Sequence, residues 1–206
     1  MIDAHCHVSA NEAGLKEILI GRDAMGVHPW DAETCESVEF LREALQKNPQ
    51  LFVGEIGLDR LRSRDISEKM REVFLSQLEL AAEFGRPVIL HGAKCWGEVV
   101  RAVRPYAKKI PAMLFHGFSR SDGLIPEIAK LNGFISVGPA ILNDHAVNYR
   151  ELAKKIPSDM LLVETDRTAT SPSIHEVAEF LAAVRGISLS ELDKIVTDNI
   201  KRYEVC

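Results

Sequence analysis

Asp3, His5 and His7 stand at alternate positions in MIDAHCHV, at the start of the chain. Side chains of an extended strand repeat every two residues, so this spacing puts two imidazoles on one face, with Cys6 on the other. Four more side chains of metal-ligand type follow at wide intervals: Glu55 in VGEIGLD, His91 in VILHG, His116 in LFHGF and Asp166 in LLVETD. Each closes an apolar run and is therefore expected at the end of a strand. Four imidazoles with two carboxylates suit Zn²⁺ and admit Mn²⁺ or Mg²⁺ where water completes the shell. Two cations roughly 3.5–4 Å apart can share a carboxylate and a hydroxide, which makes water a nucleophile near neutral pH. Two dications less two carboxylates and one hydroxide leave roughly one positive charge, a setting for an anionic substrate or transition state. Core filling explains the set poorly, because unpaired buried Glu and Asp are costly. Taken singly, His28, His145 and His175 read more simply as packed, hydrogen-bonded side chains.

The elements that would position these groups are short apolar runs at 1–8, 24–27, 51–56, 87–90, 112–115, 133–137 and 160–163, most of them followed by an amphipathic stretch. Asp65 and Glu68 have capping-box spacing ahead of a helix over 67–84, which Gly85 and Pro87 close. Ile174, Val177, Ala178 and Leu181 repeat with helical period, and Ser188 with Glu191 opens a last helix. Strands alternating with helices fit an open doubly wound sheet or a closed barrel. The ligands favour the barrel, where the C-terminal ends of the strands converge on one mouth. The expectation is an α/β, TIM-barrel-like (β/α) fold that is shortened. It has seven clear strands, and 15–20 would supply a short eighth or else the first unit is incomplete.

Composition narrows the class. A chain of 206 residues with 46% hydrophobic content fits one domain, 1–206, and neither repeats nor low-complexity linkers suggest a boundary. A net charge of −5 advertises no basic surface for nucleic acid or anionic membrane. Cys6, Cys35, Cys95 and Cys206 form no CxxC pair and read as thiols in a reducing compartment. The first residues lack a basic leader, and no segment approaches a membrane span. A cytoplasmic protein is expected, without membrane association and with no evident protein partner.

With these residues in view, the chain resembles the TatD family of metal-dependent hydrolases, within the wider amidohydrolase-like barrels. The matching pieces are IDAHCH at 2–7, GVHP at 26–29, GEIGLD at 54–59, FLSQLELAAEFGRPVILH at 74–91, FHGFS at 115–119, GFISVGP at 133–139 and LLVETD at 161–166. They span nearly the whole chain in order. The resemblance implies that His5, His7 and Asp166 hold one metal and His91 and His116 the other, with Glu55 bridging. It also implies hydrolysis of ester bonds, several relatives being magnesium-dependent deoxyribonucleases.

Departures concern the pocket. The segment between the HxH and GVHP strands is compressed to 8–25, and the loop after ETD, proline-rich in relatives, is here only 167–173. Ala93 stands where relatives often carry Arg, and ETDRT replaces ETDAP. The expected substrate is a small phosphoester or DNA, cleaved by attack of the bridging hydroxide, with Asp166 taking its proton and Glu55 joining the metals. His28, Asp59 and Glu164 are placed to orient ligands by hydrogen bonds. Arg60, Arg62, Arg64, Lys94, Arg120 and Arg167 follow strands on the same face and would clamp phosphates; Arg60, Lys94, Arg120 and Arg167, together with His28, are the substrate contacts expected. An amide or lactone hydrolase of the same fold competes with this reading, as does a noncatalytic metal-binding scaffold, which the intact ligand set disfavours.

Overall fold

In the computed structural model, residues 1–62, 64–119, 121–168 and 171–204 are described. Among them eight parallel strands follow one another: β1 (Ile2–Cys6), β2 (Lys16–Leu19), β3 (Ala24–Met25), β4 (Phe52–Asp59), β5 (Val88–Ala93), β6 (Met113–Phe115), β7 (Gly133–Val137) and β8 (Leu161–Val163). β3 to β8 form one sheet in sequence order, and β1 pairs with β2. A bridge between Ile20 and Ala24 joins the two sheets at one seam, and a bridge between Cys6 and Arg167 joins them at the other. At the second seam Asp166 N–H donates to the His5 carbonyl at 3.0 Å and His7 N–H to the Arg167 carbonyl at 3.1 Å. The strands thus run round as a barrel-like ring of α/β type, and the short strand expected at 15–20 is β2.

Helices α1 (Glu39–Lys47), α2 (Glu68–Phe84), α3 (Trp96–Val103), α4 (Ile125–Ala129), α5 (Val147–Lys155), α6 (Ile174–Arg185) and α7 (Leu189–Glu204) cover the strands from β3 onward. The first units are the abridged part: no described helix lies between β1 and β2 or between β2 and β3. Side chains hold these short links instead. Glu17 accepts from Ser9 Oγ at 2.6 Å and Ala10 N–H at 2.7 Å, and Asp23 accepts from Leu19 N–H at 2.9 Å. No helix among the described residues is long and apolar enough to cross a membrane.

Two local expectations are corrected. The cap of α2 is Ser67, whose hydroxyl accepts from Met70 N–H at 2.9 Å, and not the Asp65–Glu68 pair. Ser67 occupies the residue just outside the first turn, where an orphan amide lies within reach of its oxygen. β4 and β5 run on past the residues expected to end them, so Glu55 and His91 lie inside their strands. The reason is Gly57. A side chain there would meet the His91 carbonyl at 2.0 Å, so its absence lets β4 and β5 stay paired from Ile56–Leu90 to Asp59–Ala93. The α7 cap is as expected, Ser188 Oγ accepting from Glu191 N–H at 3.1 Å. α6 has a full capping box, Ser173 with Glu176.

α7 lies against β8 and β1 and closes the far end of the ring. Its Tyr203 is fully buried, with its ring 5.4 Å from that of Phe52 and 5.7 Å from that of Phe134, and its hydroxyl donates to the Val88 carbonyl at 3.0 Å. These partners sit at the starts of β4, β7 and β5. The tyrosine therefore plugs the end opposite the ligand set.

Candidate metal centre

His5 is fully buried on β1, whereas His7, one residue beyond it, is partly exposed. Cys6 between them faces away, its thiol directed at the Ile18 carbonyl. Asp3 shares the imidazole face but is spent on structure, accepting from the backbone N–H and hydroxyl of Thr165 and so tying β1 to the residues after β8. Burial pushes its carboxyl up to about 6 against those hydrogen bonds.

Glu55 is the centre of the arrangement. Its Oε1 lies 2.6 Å from both His91 Nδ1 and His116 Nε2. Its Oε2 lies 3.5 Å from the Nε2 atoms of both His5 and His7. Asp166 Oδ1 faces that second pair at 3.5 and 3.4 Å. Asp166 reaches this place with φ of 46°, a left-handed backbone that Asp tolerates better than most residues because its short side chain bonds locally. All six residues expected to bind metal are thus brought to one spot, at the mouth formed by β1, β4, β5, β6 and β8.

Hydrogen bonds from outside fix the imidazoles. Asp59 accepts from His91 Nε2–H at 2.9 Å, which leaves Nδ1 as a lone pair aimed at Glu55. Two acceptors 2.6 Å apart require a proton or a cation between them. Glu164, buried, accepts from Gly117 N–H at 2.8 Å and from Ser136 Oγ, and stands 3.5 Å from His116 Nδ1. His28 Nδ1 accepts from Trp30 N–H at 3.2 Å, so its proton sits on Nε2, 3.6 Å from Glu55 Oε1. This tautomer makes His28 a donor to Glu55 or to a bound oxygen, although its position with Glu55 and His91 is also of metal-ligand type.

The electrostatics are those of a cation site. For Glu55, burial works against ionisation, but the charge and hydrogen bond of His116, with the imidazoles of His28 and His5 close by, outweigh it and hold the carboxyl well below its usual range. Asp166 is likewise pulled down against burial by His5 and His7. Asp166 and Glu55 in turn raise His7 to about 9. Burial and the His116 charge oppose the imidazolium of His5, yet Asp166 and Glu55 raise it too. Both ring nitrogens of His5 are buried without a hydrogen-bond partner among the described residues. Such atoms are expensive to bury unpaired, so the donor set fits divalent cations on chemistry as well as geometry.

The basic residues fare differently. Arg60 is ion-paired with Glu98 at 2.8 Å, Lys94 is exposed in a left-handed turn, and Arg167 contributes backbone to the seam with β1. None of the three lines the cavity of about 530 Å³ at the ligand set, which His7, His28, Trp30, Glu55, His91, His116 and Asp166 help to form. Arg120 lies outside the described residues. A second cavity, of about 480 Å³, shares Asp166 and Thr168 with the first. Trp30 is the lining residue that motif reading passed over; its signal was only its position directly after GVHP.

A family model described as TatD related DNase matches residues 16–204. The chain is 29% identical over 192 residues to the metal-dependent hydrolase YabD of Bacillus subtilis, covering 87% of this chain and 75% of that protein. It is 33% identical over 144 residues to the 3'-5' ssDNA/RNA exonuclease TatD of Klebsiella pneumoniae, covering 68% of this chain and 55% of the exonuclease. Among solved structures, the TatD homologue YjjV of Escherichia coli superposes with a TM-score of 0.80 at 26% identity, over 95% of this chain and 79% of that one.

Proposed function

Since the chain belongs to the family of TatD-related DNases, and is a metal-dependent hydrolase of that family's barrel-like fold, we propose that it cleaves phosphodiester bonds of single-stranded DNA or RNA in the cytosol, as one domain. The observation that carries this reading is Glu55, with one oxygen turned to His91 and His116 and the other to His5 and His7. We read the centre as binuclear, with His5, His7 and Asp166 on one cation, His91 and His116 on the other, and Glu55 between. Two ions of Zn²⁺, Mn²⁺ or Mg²⁺ so held would acidify water and offset charge on a phosphate.

The protein's own groups do the rest. Asp166 is half exposed whereas Glu55 is buried, so Asp166 is the carboxylate able to take a proton from attacking water and pass it to the leaving oxygen. His28, with its proton on Nε2, donates to a substrate oxygen beside Glu55. The second cavity continues past Asp166 along Ser119 and Tyr149 and leaves room for the strand beyond the cut bond. Arg60, Lys94 and Arg167 would meet phosphates of a longer strand outside the cavities. Among the described residues, Cys6, Cys35 and Cys95 are free thiols, which supports the cytosolic placement.

The test is elemental analysis of purified protein together with turnover of metal-reconstituted samples on oligonucleotides, simple phosphodiesters and lactones. Two equivalents of metal and oligonucleotide cleavage are expected. At saturating metal, Asp166→Asn should cut turnover by about 10²–10⁴-fold, the usual worth of a positioned proton acceptor. Lactone turnover with inert oligonucleotides would refute the assignment.

A further inference from the structure

Trp30 is about half exposed, at 52%, among a chain whose other tryptophan, Trp96, is buried. It lies in the first turn of the short 3-10 helix Pro29–Thr34 and lines the same cavity as His7, Glu55 and Asp166. An indole left in water beside a polar site forgoes its own burial. It is nonetheless held firmly. Its Nε1–H donates at 2.8 Å to Asp59, whose carboxylate is buried, and the Arg62 guanidinium lies over one face of the ring, 4.7 Å from its centroid. The same Asp59 accepts Arg62 N–H at 2.9 Å, and the His28 ring packs at 4.7 Å with an interplanar angle of 80°. One carboxylate therefore sets the indole, its neighbouring arginine and the ligand His91.

We propose that Trp30 is a nucleobase platform: the ring face not covered by Arg62 stacks the base next to the phosphate at the metal centre, and Arg62, over the other face, meets a flanking phosphate. The inference rests on the phosphodiesterase reading above and specifies how that site grips a strand in a chain of net negative charge. Every base has a π-face, so a fixed indole binds single strands with little regard to sequence, and a stacked base strengthens binding substantially. Arginine adds a planar, always charged partner for phosphate or for the ring.

The experiment compares two non-cleavable phosphorothioate hexamers on the metal-loaded protein, one of thymidine and one abasic. Binding is followed by fluorescence anisotropy of the hexamer and by tryptophan emission. The thymidine hexamer is expected to quench Trp30 and to bind roughly tenfold tighter or more than the abasic one. Trp30→Ala should remove that preference and Trp30→Phe should keep most of it. Equal binding of both hexamers to the native protein, with unmodified oligonucleotides still cut, overturns the platform alone. A base preference that survives in Trp30→Ala also overturns it. Should neither hexamer bind and no oligonucleotide be cut, the phosphodiesterase reading falls and the platform with it.

Discussion

At the scale of single residues, the proposed metal centre depends on side chains outside its candidate ligand set. Asp59 is the clearest case. It accepts from His91, from the Trp30 indole and from two backbone amides, Leu61 and Arg62, so it fixes which nitrogen of His91 faces Glu55. Removing such a partner frees both the tautomer and the ring angle. Asp59→Ala is expected to weaken metal binding by about 10–100-fold while the protein stays folded, as read by competition with a chromophoric chelator. Unchanged affinity would mean that strand geometry alone holds His91. Glu164 performs a parallel task on the other side, where its carboxylate holds the turn that carries His116.

Among the elements, α7 carries a burden that its position at the end of the chain would not suggest. It seals the ring at the end away from the ligands, and Tyr203 brings together residues from β4, β5 and β7. Tyr203→Ala should cost about 3–5 kcal/mol, the range for emptying a large aromatic site, and Tyr203→Phe about 1 kcal/mol for the lost hydrogen bond. Urea denaturation of the two variants checks the ratio. Equal costs would assign the whole contribution to the hydroxyl. The first units of the ring are lighter. β2 is four residues long, and the links before and after it rely on Glu17 and Asp23 where a full barrel unit would have a helix.

For the whole molecule, one apolar core joins strands and helices, with Cys95 and Tyr203 buried in it and Tyr149 partly buried against it. Burial pushes the Cys95 thiol up to about 12 and raises the phenols of Tyr149 and Tyr203. Each is neutral in the fold at a pH where it would ionise in the unfolded chain. The stability so contributed is complete below the unfolded values, near 9 for the thiol, and is lost as pH rises through the folded ones. The raised imidazole of His7 loses its own contribution between about 6.5 and about 9, so the denaturation midpoint of the metal-free protein should already decline over that range and go on falling above pH 9 as the thiol and the phenols add their share. A midpoint unchanged to pH 11 would contradict the burial of these groups. Alkylation of the native protein should reach the partly exposed Cys35 before Cys95.

The candidate ligands and the strand and helix alternation could be read from the chain because they rest on local rules: period two along a strand, 3.6 along a helix, and residue types whose chemistry is intrinsic; the family was legible in its motifs, such as IDAHCH, GEIGLD and LLVETD. His5, His7, Glu55, His91, His116 and Asp166 were all visible in this way. Their assembly around the two oxygens of Glu55 was decided by the ring of strands, since contacts between residues 5, 55, 91, 116 and 166 depend on how the barrel-like ring is assembled and leave no periodic trace. The same holds for Trp30 and Asp59, 29 residues apart but bonded. The pairing of Arg60 with Glu98 is likewise a matter of tertiary neighbours, which no spacing rule encodes. The missing helices around β2 were apparent as a short segment at 8–25, but only the fold revealed that carboxylates at Glu17 and Asp23 take their place. Local chemistry is written residue by residue; which groups meet is determined by the closure of the whole.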